Sequence, residues 1–244
     1  MASQRASYDR FATTRWSLVM HTAASTAVDA RAALIELAQR YWYPVYAYAR
    51  RSGHAPPIAQ DLARCFLSLL MRDFHNGDSL NTNGKFRRFL LERLNAFLGS
   101  DWRDTVDAQD DPELRVPADL EIRYQRDNAD TGSPEQAYQR SFALEVIARA
   151  LKRLSLEAHR TGHSEMYRAL EPYLAREPGP GDYEAVARQL ATRPLALIVA
   201  LKRLRQRLRE LVGEELADTV TCVTDLANEQ AALHSVLRAA DMTP

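Results

Sequence analysis

The sequence contains little cysteine and little glycine. Its two cysteines, Cys65 and Cys222, lie far apart without a partner spacing, which argues against a disulfide framework and against a zinc site. Only nine glycines occur in 244 residues, whereas Ala, Leu and Arg recur throughout. Because these side chains lose little rotamer freedom in a helix, the composition predicts an all-α fold.

The chain also has no net charge, since 32 basic residues balance 32 acidic ones. Any nucleic-acid binding must therefore come from a local basic surface. The apolar run in FATTRWSLVM is too short for a signal peptide or a membrane span, so we expect a cytoplasmic protein with no membrane partner. No phosphate loop, nucleophile motif or metal-ligand spacing occurs, so we expect no enzyme, no cofactor and no metal.

Three amphipathic segments predict a helical first domain over residues 1–103, which includes an N-terminal extension. Helices are expected at about 30–50, with a kink at Pro44, at 58–74, and at 86–98. Residues 104–132 then become acidic and lose the apolar periodicity. This composition predicts a linker.

A second helical domain is expected over residues 133–213. Ser133-Pro134-Glu135-Gln136 combines an N-cap, a proline at the first helical position and a capping-box glutamine, so a helix should begin there. Asp182 is expected to cap a short helix, which a tight turn at 191–193 joins to a helix over about 194–211. This is a helix-turn-helix pattern with outward-facing cations that suit phosphates.

Five blocks follow one another along the chain: FATTRWSLV, YWYPVYAYARRSGH, AQDL, GKFRRFLL, and YEAVARQLA with ALKRLRQRLREL. In order and spacing they resemble a bacterial subgroup of extracytoplasmic-function sigma factors over nearly the full length. The resemblance implies a factor that directs core RNA polymerase to promoters. Residues 1–103 would be the region-two-like domain for the polymerase and the minus-ten element. Residues 133–213 would be the region-four-like domain for the minus-thirty-five element, and 214–244 a helical tail.

The resemblance also assigns contact residues. Core RNA polymerase would contact Asp61, Leu62, Phe66 and Leu69. Promoter DNA would contact Trp102, Arg103, Thr192, Arg193, Lys202, Arg203 and Arg205. Trp102 has an alternative interpretation as a lid on the core.

Three stretches depart from the family pattern. After the third helix the family usually has a basic stretch beside the DNA, where this chain reads Trp102-Arg103-Asp104-Thr105-Val106-Asp107, which phosphates would repel. After Asp61-Leu62 the family has a Gln-Glu-aromatic stretch, where this chain has Ala63, Arg64 and Cys65, so we expect weaker polymerase binding. The predicted recognition helix is apolar from Pro194 to Leu201, whereas base edges are read by polar side chains. We therefore expect weak sequence readout, limited to thymine methyl groups and phosphates.

These departures leave open how the protein is used. The apolar ridge of Leu195, Ile198 and Val199 is either buried by the same chain or binds a partner such as an anti-sigma factor. Ser52 and Ser68 are candidate sites for a serine/threonine kinase, with ordinary structural serines as the alternative. The rival function is a sigma-derived interaction or regulatory protein that has lost promoter reading.

Overall fold

A computed structural model describes residues 27–75, 86–100, 102, 114–128, 132–220 and 226–233. Within these ranges the chain forms helices and no strand, which confirms the all-α prediction. The helices are α1 (Ala27–Arg51), α2 (Pro56–His75), α3 (Phe86–Gly99), α4 (Leu120–Asp127), α5 (Pro134–Arg160), α6 (Ser164–Leu170), a 3-10 turn (Glu171–Tyr173), α7 (Asp182–Gln189) and α8 (Pro194–Ala217). Residues 226–233 form a further helical segment.

The helix start at Pro134 has the predicted capping box. The backbone nitrogen of Gln136 donates to the Ser133 hydroxyl at 3.2 Å, and the side-chain oxygen of Gln136 accepts from the Ser133 backbone nitrogen at 3.0 Å. Two otherwise unpaired N–H groups are thereby satisfied. The proline at the first helical position needs no such partner. Local sequence therefore fixes this boundary.

The chain divides into two units whose boundaries differ from the predicted domains. Unit 1 comprises the described residues up to Glu145 together with those from Leu216 onward, and unit 2 is Val146–Glu215. The first boundary falls inside α5 instead of in the segment 104–132, and the second falls near the end of α8.

Aromatic residues of α1 form the centre of unit 1. Its largest fully buried side chains include Trp42, Tyr41, Tyr43 and Tyr46. The Tyr41 ring lies edge-on to Phe86 at 5.0 Å and stacks on rings from the first half of α5. Such buried aromatic pairs contribute both burial and oriented ring contacts. The block YWYPVY is thus the core of this unit, and α1 continues through Pro44.

The described part of the predicted acidic linker contains a packed helix. The carboxylate of Glu121 in α4 accepts from Arg50 at 2.9 and 3.0 Å and from the Tyr46 hydroxyl at 2.5 Å. Asp127 accepts from the buried Tyr43 hydroxyl at 2.9 Å. The acidic side chains of α4 therefore bind side chains of α1, and residues 120–127 belong to unit 1. Residues 104–113 and 129–131 lie outside the described residues.

The segment after α8 also belongs to unit 1. Asp218 pairs with Arg40 at 3.0 Å, and the backbone nitrogen of Phe86 donates to the carbonyl of Thr219 at 3.1 Å. The buried carboxylate of Glu229 accepts from Arg87 at 3.0 Å. The predicted tail is therefore helical over 226–233 and supplies three partners to α1 and α3.

Unit 2 packs four helices around two adjoining clusters of apolar side chains. One cluster joins the second half of α5 with α6 and α8, and the other joins α6, α7 and α8. Gly181, at φ 87°, is the N-cap of α7, and the Asp182 carboxylate accepts from the Gly179 nitrogen at 2.9 Å. Asp182 thus orders the preceding turn and does not provide the predicted helix cap.

Candidate nucleic-acid interface

Three helices of unit 2, α6, α7 and α8, pack together where the sequence predicts a helix-turn-helix. Leu170 of α6, Val186 and Ala187 of α7, and Leu197 and Leu201 of α8 are buried in one cluster. Because Leu197 and Leu201 lie four residues apart, they bury one face of α8 and leave the opposite face to solvent. In helix-turn-helix proteins this opposite face of the second helix enters the major groove.

The turn between α7 and α8 is closed by backbone hydrogen bonds. The nitrogen of Thr192 donates to the carbonyl of Ala187 at 2.9 Å, and the nitrogen of Ala191 donates to Arg188 at 3.4 Å. These two bonds form a Schellman motif, whose central residue adopts the left-handed conformation. That residue is Ala191, with φ 49°. A position that favours glycine is therefore held by alanine, at a cost in strain.

The turn then leads directly into α8. The Arg193 carbonyl accepts from the nitrogen of Ala196 at 2.9 Å, which makes Arg193 the N-cap residue, and Pro194 occupies the first helical position as predicted. Thr192 is half-buried and the Arg193 side chain is exposed. The helix runs on to Ala217, six residues beyond the predicted end.

The chain has no net charge, but it contains a local basic stretch at α7 and α8. Residues 185–209 contain no Asp or Glu but seven cations, which are Arg188, Arg193, Lys202, Arg203, Arg205, Arg207 and Arg209. Arg193, Lys202 and Arg203 are exposed, and no described residue forms an ion pair with them. They are therefore available to phosphates, which bind arginine and lysine without regard to sequence.

Arg205, the remaining predicted DNA contact on α8, has a different role. Its guanidinium donates to the carbonyls of Tyr173 at 2.8 Å and Arg176 at 2.7 Å, and to the Glu177 carboxylate at 2.6 Å. Its donors are occupied by one acceptor in the 3-10 turn and two just after it, because the carbonyls at a helix end lack intrahelical partners. The structure thus assigns Arg205 to holding the chain after α6.

The guanidinium of Arg207 is also occupied by acceptors within unit 2. It donates to both oxygens of Glu157 at 2.8 and 2.9 Å, and to Glu210 and Glu214 at 3.2 Å. Its hydrogen bonds with Glu157 lower the pKa of that carboxyl below its ordinary value. The basic stretch of α8 therefore separates into an exposed group and a group that stabilises the fold.

The predicted apolar ridge is exposed to solvent. Leu195 is 70% exposed, Ile198 44% and Val199 42%, which places three alkyl side chains on the face opposite the buried leucines. Of the two predicted alternatives, burial by the same chain is therefore not provided by unit 2 itself. Lys202 lies one turn further along the same stripe, so a cation follows the ridge.

The predicted polymerase contacts on α2 divide by burial. Leu62 and Phe66 are 0% and 2% exposed and belong to the core of unit 1, so Leu62 offers no surface to a partner and Phe66 offers only the small part that lines a pocket. Asp61 is exposed and pairs with Arg64 at 3.6 Å, and Leu69 is half-buried. Sequence periodicity could have distinguished the buried Leu62 and Phe66 from the more accessible Asp61 and Leu69, since positions 62 and 66 share the buried stripe of α2.

A pocket lies beside Leu69. It has a volume of about 290 Å³ and is formed by residues of α2, of α3 and of the position after α3, which are Phe66, Leu69, Leu70, Arg93, Ala96, Phe97 and Ser100. Its α3 residues were not predicted as site residues, because the spacing that places them opposite Leu69 is set by tertiary packing. An exposed carboxylate and an apolar pocket rimmed by Arg93 therefore lie on α2 and α3.

Trp102, which the resemblance predicts as a promoter-DNA contact, is buried. Its ring lies 6.1 Å from Phe97, which in turn lies 5.5 Å from Phe66. Since the indole continues a row of core aromatic rings beyond the end of α3, it has the alternative role of a lid on the core. Arg103 lies outside the described residues.

The two candidate phosphorylation sites differ in access. Ser52 is exposed, and its hydroxyl donates to the Tyr48 carbonyl at 2.9 Å. Ser68 is buried in α2. A kinase must reach the hydroxyl to transfer a phosphoryl group. In the folded chain Ser52 is accessible to a kinase, whereas Ser68 is not.

Features of other site classes are absent from the described ranges. They hold no group of three or more His, Cys, Asp and Glu side chains placed to bind a metal, and none of their helices is long and apolar enough to cross a membrane. Comparisons with protein-family models, with curated proteins and with solved structures find no match for this chain.

Proposed function

We propose that this chain is a DNA-binding protein that places α8 in the major groove. The observation that carries the proposal is the acid-free stretch 185–209, which folds as a turn and helix with exposed Arg193, Lys202 and Arg203. Arg193 and Lys202 are nine residues apart, which corresponds to about 13.5 Å along the helix axis at about 1.5 Å per residue. This separation suits the phosphates on the two sides of a major groove that is about 12 Å wide.

Within this class, the proposal is a sigma factor of the extracytoplasmic-function type that directs core RNA polymerase to promoters. Unit 2 would bind the minus-thirty-five element. Unit 1 would bind the polymerase through the exposed Asp61 and through the pocket beside Leu69. The ordered sequence blocks and the all-helical fold with a helix-turn-helix support this assignment. Polymerase and promoter DNA are the proposed partners.

Run-off transcription tests the proposal directly. Core RNA polymerase with the full chain should give promoter-dependent products from a library of genomic fragments, and core polymerase alone should not. The variant Asp61→Arg should lower co-purification with core polymerase while DNA binding by unit 2 is kept. Absence of any product together with absence of polymerase binding would reject the sigma-factor assignment.

DNA binding is tested separately by salt dependence. Replacement of Arg193, Lys202 and Arg203 by alanine should reduce the slope of log K against log salt by about 2.7, since each phosphate contact contributes about 0.9. The matched control replaces three exposed cations elsewhere in unit 2, Lys152, Arg160 and Arg168. An equal loss in both triple variants would show that only overall charge matters.

A second candidate function is a sigma-derived regulatory protein that binds a partner without reading promoters. The burial of Trp102 and the exposed ridge of Leu195, Ile198 and Val199 favour it, because the ridge offers an apolar contact where base-reading polar groups are missing. Polymerase binding without promoter-dependent transcription would select this function, with an anti-sigma factor as one class of partner.

A further inference from the structure

We infer that α8 reads DNA through thymine methyl groups, so that the bound element is rich in A·T pairs. The inference rests on the proposed DNA-binding function and specifies the ligand of the same surface. The occupant is the major groove of a thymine-rich duplex, and the contacting residues are Leu195, Ile198 and Val199.

The first step is the chemistry that α8 offers to base edges. In a helix-turn-helix the N-terminal residues of the second helix contact the bases. Here every residue from Pro194 to Leu201 is apolar, so this part of the helix has no side-chain hydrogen-bond donor or acceptor. The thymine C5-methyl is the apolar group that the major groove presents. Apolar contact with this methyl is therefore the base readout open to these side chains.

The second step is geometry. Positions 195, 198, 199 and 202 follow the i, i+3, i+4, i+7 pattern and form one stripe. The first three side chains are exposed, while Leu197 and Leu201 on the opposite face are buried. Ile198 and Val199 are branched at Cβ and have restricted χ1 rotamers in a helix, so little side-chain entropy is lost when they contact a ligand.

The third step is charge. Exposed cations lie at both ends of the stripe, with Arg193 before it and Lys202 and Arg203 after it, and no acidic residue occurs between 185 and 209. This arrangement complements two phosphate strands that flank an apolar strip of methyl groups. A protein partner would need about 800 Å² on each side for a stable interface, and three side chains between cations supply only a small part of that area.

The test compares duplexes that differ only in the methyl group. The full chain is titrated by fluorescence anisotropy against a 20-base-pair duplex with an A·T-only centre and against the same duplex with uracil in place of thymine. We expect uracil to weaken binding about fourfold for each methyl contacted, the equivalent of about 0.8 kcal/mol for one buried methyl group. In a duplex with a G·C centre, 5-methylcytosine in place of cytosine should strengthen binding, because it restores a methyl at the same place.

Variants assign the effect to the ridge. Leu195→Ala and Ile198→Ala should reduce the thymine-to-uracil ratio towards one. Leu156→Ala, which removes an exposed leucine from α5 in the same unit, should keep the ratio. Arg203→Ala should weaken binding to both duplexes equally, because a phosphate contact does not sense the base.

Each remaining outcome overturns a defined statement. If the chain binds both duplexes with equal affinity and the ridge variants change nothing, the methyl inference fails while the DNA-binding function stands. If neither duplex binds even at low salt, the proposed function itself fails. If the ratio is one and the ridge variants instead abolish binding to core polymerase, the ridge is a protein interface and the inference is wrong.

Discussion

Individual residues of unit 2 show that charge and turn chemistry have separable roles. Two arginines of α8, only two positions apart, differ in every contact: Arg203 is exposed, whereas the donors of Arg205 are taken by backbone carbonyls and by Glu177. Ala191 is held in a left-handed conformation by the hydrogen bonds of the turn. Both features lead to predictions at single positions.

Ala191→Gly should stabilise the protein. Glycine adopts positive φ without the Cβ clash, so the gain is expected to be about 1 kcal/mol in the free energy of unfolding, measured by urea denaturation. Ala185→Gly, in the exposed interior of α7, is the control and should destabilise by about 1 kcal/mol. Equal destabilisation by both substitutions would contradict the assigned turn.

Arg205→Ala should destabilise unit 2 by about 2 kcal/mol, because hydrogen bonds to charged groups contribute about 1.5–3 kcal/mol and two carbonyls lose their partner. Arg203→Ala should leave the free energy of unfolding nearly unchanged, since its side chain is exposed. Thermal denaturation of both variants measures the difference. Similar stabilities would mean that the Arg205 contacts contribute nothing in solution.

Local sequence was enough for features that depend on neighbouring residues. The capping box at Ser133 and the helix start at Pro194 could both be predicted, because the residues that define each of them lie within three positions of one another. The pairs of Arg40 with Asp218 and of Arg87 with Glu229 join positions 178 and 142 residues apart. Residue spacing along the sequence does not predict contacts between such distant positions. The ion pair of Arg87 and the packing of the acidic segment on α1 could therefore not be predicted.

At the scale of helices, α4 shows how acidic composition can mislead. Residues 104–132 are acidic enough to predict a linker, yet Glu121 and Asp127 of α4 are bound by α1. An acidic composition indicates only that a segment is well solvated when it is isolated. In the folded chain, a carboxylate that accepts hydrogen bonds from an arginine and a tyrosine hydroxyl holds its helix in place. The attachment of α4 to α1 is therefore partly electrostatic and should depend on pH.

The pH prediction concerns Glu121. Hydrogen bonds from Arg50 lower the pKa of its carboxyl to about 2 against the opposing effect of burial. A lowered folded-state pKa adds stability above the unfolded value of about 4.3, and this stability is lost as the pH falls towards about 2. Urea denaturation at pH 7, 5 and 3 should show a smaller loss for Glu121→Gln than for the wild type.

The control for this prediction is Glu92→Gln, which removes an exposed partner of Arg88 on α3. Exposed helix pairs contribute only about 0.3–0.5 kcal/mol, so its stability should follow the wild-type pH dependence closely. If Glu121→Gln and the wild type lose stability in parallel below pH 5, the α4 contact carries no electrostatic stabilisation.

At the scale of the whole molecule, unit 1 is discontinuous in sequence. It takes α1 to α4 and the first part of α5 from one end of the chain, and the segment from Leu216 onward from the other. Because Glu229 is buried against Arg87, the distal segment is an integral part of the core. Its loss should therefore affect unit 1.

Glu229→Ala should destabilise the protein by about 3 kcal/mol, the lower end of the range for breaking a buried ion pair, because Arg87 keeps Gln139 as a second acceptor. Asp61→Ala, which breaks a surface pair in the same unit, should cost less than about 1 kcal/mol. Chemical denaturation followed by tryptophan fluorescence measures both. Equal effects would show that the distal segment is not held as described.

The discontinuity of unit 1 also sets an order of completion during synthesis. Unit 2 is contiguous, so all of its residues are present once Glu215 has left the ribosome. The first residues of unit 1 precede unit 2, but Arg40 and Arg87 acquire Asp218 and Glu229 only after unit 2 has been synthesised. At about 5–20 residues per second, the nascent aromatic core waits several seconds for its last partners. Of the two units, unit 1 is thus started first and completed last, and it is the unit that a nascent-chain chaperone would protect.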